Sequence, residues 1–134
     1  MTTQSFYRNV METMGDTATR EMVRRATAAV FHALRDRLTP DESDQVVAQL
    51  PGELKAVWEA GEKAERRPVK MSREEFYDRV KQETGVTSQR EARWLTLAVF
   101  AALGKQLSPG EAEDVHAQLP KDLKELWTEA QAPA

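Results

Sequence analysis

Residues 24–58 return at 93–127, at an offset of 69, with 18 of 35 positions identical. Ala29-Val30-Phe31-His32-Ala33-Leu34 recurs as Ala98-Val99-Phe100-Ala101-Ala102-Leu103. Leu38-Thr39-Pro40-Asp41-Glu42 recurs as Leu107-Ser108-Pro109-Gly110-Glu111, and Ala48-Gln49-Leu50-Pro51 as Ala117-Gln118-Leu119-Pro120. Trp58 returns as Trp127. A duplicated segment serves as the same structural unit both times, so reading one copy predicts the architecture of both.

Apolar residues fall at helical spacing throughout, and no stretch alternates long enough for a sheet. The first helix of each unit carries Phe6, Val10 and Met14, or Phe76, Val80 and Thr84. Gly15 and Gly85 read as stops, because glycine tolerates the left-handed conformation that closes many helices. Ser72-Arg73-Glu74-Glu75 predicts a capping box at the second start. The second helix is the longest, roughly 18–38 and 88–107, with Val23, Ala26, Val30, Ala33, Leu34 and Leu38 forming one apolar stripe. Thr39-Pro40-Asp41-Glu42 and Ser108-Pro109-Gly110-Glu111 open the third helix, with a hydroxyl at the cap, proline first and glutamate third. Pro51 and Pro120 disfavour helix at the preceding leucine and introduce a fourth helix carrying Leu54, Val57 and Trp58, or Leu123, Leu126 and Trp127.

The expectation is an all-α bundle of about eight helices, built as two pseudo-symmetric four-helix repeats. The repeats span residues 1–61 and 72–134, and a connector of residues 62–71 joins them, with Pro68 breaking any helix that runs on from Trp58. Both repeats pack as one compact body, since about 60 residues alone would bury only roughly 60% of their unfolded surface.

Reactive constellations are scarce. Absence of cysteine removes thiolate nucleophiles and cysteine-ligated metals. The two histidines, His32 and His116, align with Ala101 and Val47, so the units share no histidine site. No phosphate-cradling glycine motif and no Gly-x-Ser-x-Gly occurs. Asp41, Glu42 and Asp44 lack the alternating ligands and central glycine of a calcium loop, and the helix dipole accounts for acids in a first turn. An enzyme would have to work with carboxylates and arginines alone. The expectation is no catalytic residue, no cofactor and no metal.

Charge is distributed unevenly: −2 over residues 1–61, +3 over 62–73 and −4 over 74–134. Two acidic lobes around a basic connector do not resemble the footprint of a phosphate-backbone binder. The longest apolar run, Trp94 to Leu103, spans ten residues and is broken by Thr96, too short to cross a bilayer. The N-terminus lacks the basic start and apolar core of a secretory signal, which points to the cytoplasm.

Two surfaces remain as candidates. Arg25, Ala28, His32 and Arg35 share a face of the first long helix, and their counterparts are Trp94, Leu97, Ala101 and Gly104. The apolar version is either buried between the repeats or an external face for another protein or a second copy of the chain. The basic patch is Arg24 and Arg93, at equivalent positions, with Arg66, Arg67 and Lys70 in the connector. The favoured function is a non-catalytic protein-interaction or scaffolding module. The alternative is an accessory nucleic-acid-associated regulator using Arg24, Arg93 and the connector, disfavoured by the acidic lobes.

At Ala-Val-Phe-x-Ala-Leu, Leu-Thr-Pro-Asp-Glu-Ser and Ala-Gln-Leu-Pro-x-x-Leu-Lys the chain resembles the bacterial domain of unknown function 2267 family, as two tandem repeats. The stretch from Leu38 to Leu54, repeated at 107–123, carries most of the likeness. The resemblance implies an all-helical prokaryotic cytoplasmic protein and supplies no activity or site residues. Ser43 stands where that family usually has alanine, and Gln106 where an arginine usually precedes the leucine.

Overall fold

In the computed structural model the chain is described over residues 2–132; Met1, Pro133 and Ala134, at the ends of the two expected units, lie outside. The described residues form eight helices and no strand: α1 (Thr3–Met14), α2 (Arg20–Arg37), α3 (Pro40–Ala48), α4 (Gly52–Glu59), α5 (Arg73–Thr84), α6 (Gln89–Gln106), α7 (Pro109–Gln118) and α8 (Lys121–Gln131). Local chemistry accounts for the boundaries. Hydroxyls of Thr2, Thr19, Thr39, Ser72, Ser88 and Ser108 each accept a backbone N–H in the first turn that follows. These bonds occupy donors that a helix start leaves without an internal partner. Gly15 and Gly85 end α1 and α5 at φ of 97° and 84°. Pro51 and Pro120 are extended cap residues one position ahead of α4 and α8.

Two aromatic chains mark the core. Phe6 meets Phe31 at 5.6 Å between ring centres, and Phe31 meets Trp58 at 5.2 Å, both edge-on. In the second half Phe76 meets Phe100 at 5.8 Å and Phe100 meets Trp127 at 5.1 Å. All six rings are buried. Such offset pairs contribute about 0.5–1.5 kcal/mol each beyond the area they remove from water.

The helices dock crosswise. The broadest interface joins α1 to α6, and the next joins α2 to α5, so each half's first helix lies chiefly against the other half's long helix. The long helices α2 and α6 also touch each other, α4 covers α2, α8 covers α6, and α3 meets α7. An apolar stripe on a long helix is consequently buried by helices from both halves. No described helix is long and apolar enough to cross a membrane.

Candidate functional site

The polar face of α2 turns out to be internal. Arg35, 7% exposed, donates through Nη1 to the carbonyls of Trp58 and Ala60, each at 2.8 Å. It thereby satisfies acceptors that the end of α4 leaves open. Its Nε bonds Asp36, which also receives Arg79 of α5 at 2.7 Å. The His32 ring bridges the Val57 carbonyl at 2.7 Å and Glu83 of α5 at 2.9 Å. These side chains tie α2 to α4 and α5. Arg25 alone on that face is solvent-facing, paired with Glu21 at 2.9 Å.

The apolar counterpart divides. Gly104 lies beneath Gln131, whose Nε2 donates to the Phe100 carbonyl at 2.8 Å. A Cβ on residue 104 would collide with the side-chain amide of Gln131, so glycine is what admits it. Arg35 thus reaches from α2 to close α4, whereas Gln131 reaches from α8 to the Phe100 carbonyl of α6. Ala101 is half-buried. Trp94 and Leu97 pack one edge against the core and keep the other in solvent.

The basic candidates do not converge. Arg66 binds Asp44 at 2.7 Å and Glu62 at 3.0 Å, pinning the connector to α3 and holding the Asp44 carboxyl below its usual range. Val69 adds a backbone bond to the Asp36 carbonyl at 2.8 Å. Arg67 pairs with Glu65 at 2.7 Å and Arg93 with Glu129. Lys70 is exposed. Arg24 is exposed in a separate cleft beside Tyr7 and Arg20. Three of the five cations already face carboxylates, and a phosphate would have to displace them.

The α3–α7 contact holds what the linear reading misses. The Thr39-Pro-Asp-Glu42 pattern predicts that Glu42 reaches back to the Thr39 N–H. That donor instead goes to Gln118 Oε1 at 2.9 Å, and the Ser108 N–H goes to Gln49 Oε1 at 2.8 Å. Each glutamine comes from the opposite half, and both glutamates are released from capping. Glu42 and Glu111 are 7% and 6% exposed, and the Oε2 atom of each is shut off from solvent without a hydrogen-bond partner. Asp114, one turn beyond Glu111 and exposed, brings a third carboxylate. One oxygen from each of the three lies within 4.8 Å of the others. Burial, then the adjoining Glu42 carboxyl and the charge of Asp114, push Glu111 up to about 8. The available signal was the recurrence of Glu42 as Glu111. The two oxygen sets become one site only when the halves are folded together.

Two departures from the resembled pattern have local roles. The Ser43 hydroxyl accepts the buried Trp58 indole N–H at 2.8 Å. Gln106 Nε2 donates to the Gln49 carbonyl at 2.7 Å, another bond between the halves.

The family described as uncharacterized conserved protein (DUF2267) matches residues 3–126, from α1 into α8. No curated protein matches the chain.

Proposed function

The chain belongs to the DUF2267 family, and we propose that it works as a non-catalytic protein-interaction or scaffolding module built from two homologous four-helix units. The observation that carries this reading is the contrast between Arg25 and Trp94. At one position of the duplicated helix stands a solvated arginine paired with Glu21. At the other stands an indole packed mostly against the core with part of its edge left open, beside Leu97, on a surface otherwise rich in charge. A rigid helix bearing a partly exposed tryptophan suits the apolar anchor of a protein contact, since such anchors dominate interface energetics. The partner it fits is a protein surface with a complementary apolar pocket. The nucleic-acid reading loses support because Arg66, Arg67 and Arg93 are engaged by acids.

The test is affinity capture from the native host with the natural chain and with Trp94→Arg, the residue at the equivalent position. Thermal unfolding of both proteins is followed in parallel. The reading expects a defined protein set held by the natural chain and lost by the variant, with unfolding temperature nearly unchanged. Identical captured sets from two equally folded proteins overturn it.

A further inference from the structure

Glu42 and Glu111 sit at equivalent cap positions of two helices that meet, each third in its first turn. Helix N-termini favour a carboxylate, which accounts for one negative charge at each position. It does not account for two buried carboxylates facing each other with Asp114 at the rim. Among the described residues none of the three takes part in an ion pair. Apart from a proton held between the two carboxyls, the buried Oε2 atoms of Glu42 and Glu111 have no donor to receive. A buried acceptor without a partner is costly, and a charged one more so. The arrangement calls for a positive charge at the seam.

The donor set says which kind. All three ligand atoms are carboxylate oxygens, without nitrogen or sulfur, which selects hard cations over zinc or copper. The spacing also fits. Oxygens on opposite sides of a calcium ion, at about 2.3–2.6 Å each, stand roughly 4.6–5.2 Å apart. The three oxygens here lie within 4.8 Å of one another, inside the ligand span of one calcium ion, whereas magnesium, with ligands at about 2.0–2.1 Å, would draw them closer. The exposed Asp114 opens the site to solvent, leaving room for the waters such ions retain. We propose that Glu42, Glu111 and Asp114 form a site for one hard divalent cation, of the calcium, manganese or magnesium class, which joins α3 to α7 and so clamps the two halves together.

The experiment uses the whole chain, freed of metal with chelator and then dialysed. Calcium, manganese and magnesium chlorides are titrated separately by calorimetry, with thermal unfolding alongside. Glu42→Gln and Glu111→Gln remove one ligand charge each while keeping the side-chain shape. Glu113→Gln, on the exposed side of α7, is the control. The site predicts one ion per chain for at least one of the three metals and a saturable rise of several degrees in unfolding temperature. It also predicts binding weaker by about tenfold or more in both seam variants and unchanged in the control. In chelator above about pH 8, where Glu111 is ionised, each seam variant should unfold at or above the natural chain's temperature, because a buried like charge has been removed. Absence of saturable binding at millimolar metal overturns the proposal and leaves a proton as the charge at the seam. Binding that survives equally in both seam variants overturns it too.

Discussion

Gln49 grips Ser108 across the interface between the halves: its Oε1 accepts the Ser108 backbone N–H at 2.8 Å, and its Nε2 donates to the Ser108 hydroxyl at 3.2 Å. Gln118 holds Thr39 reciprocally, at 2.9 and 3.1 Å. Each half therefore completes the helix cap of the other. Replacing either glutamine with alanine should lower stability by about 1 kcal/mol, the usual net value of such bonds near the surface. Urea denaturation measures it, and a midpoint that does not move in either variant would show the brackets to be energetically idle.

Arg35 serves α4 more than it serves α2. Arg35→Ala removes both bonds to the Trp58 and Ala60 carbonyls and leaves a gap under the end of α4. We expect a loss of about 2–3 kcal/mol, since bonds from a charged donor are stronger than neutral ones. Lysine should recover part of it, having the charge without the fork. Equal stability of the alanine and lysine variants would contradict the capping role.

Gly104 and Gln131 form a coupled pair. Gly104→Ala alone should change stability little. The roughly 1 kcal/mol gained in helix propensity is offset by displacing Gln131 from the Phe100 carbonyl. In a Gln131→Ala background the same substitution meets no obstacle and should stabilise by about 0.5–1 kcal/mol. A double-mutant cycle reads the difference, and additive effects would refute the coupling.

The connector is held by Arg66. Arg66→Ala should speed proteolytic cleavage within residues 62–71 while leaving the unfolding temperature within a degree or two, because exposed ion pairs contribute little to global stability. Acid should mimic the variant. Asp44 is depressed by Arg66, so its contribution is present above the usual aspartate range near pH 4 and is lost as pH falls through the lowered value. A connector cleaved at the same rate in both proteins, and at both ends of that pH range, would argue against the clamp.

Helix positions were legible because their signals are local. A hydroxyl followed by proline and glutamate, or glycine after an apolar stripe, acts within one turn of the backbone. Docking was not legible. The stripe through Val30 and Leu34 says that a face is buried, but α4, α5 and α6 compete for it, and only the assembled shape decides. The same limit hid the acidic seam. Read along the chain, Glu42 belongs to Thr39, three residues away. In the folded protein Gln118, 79 residues on, takes that role. Trp94 and Gly104 look alike as apolar replacements of polar residues, yet one keeps an edge in solvent and the other admits Gln131. Neither outcome follows from helical spacing.

The crosswise docking of α1 on α6 also sets a timetable. The two helices are separated by the whole of α2 to α5, and α6 ends at Gln106. A ribosome adding about 5–20 residues per second delivers the partner of α1 roughly 5–20 s after α1 itself. Until then α1 can shelter only against α2 and, more thinly, α4, with its remaining apolar residues uncovered. For that interval the nascent chain presents a sticky helix to the cell, which makes the speed of translation through α2–α5 a determinant of how much protein reaches its folded form.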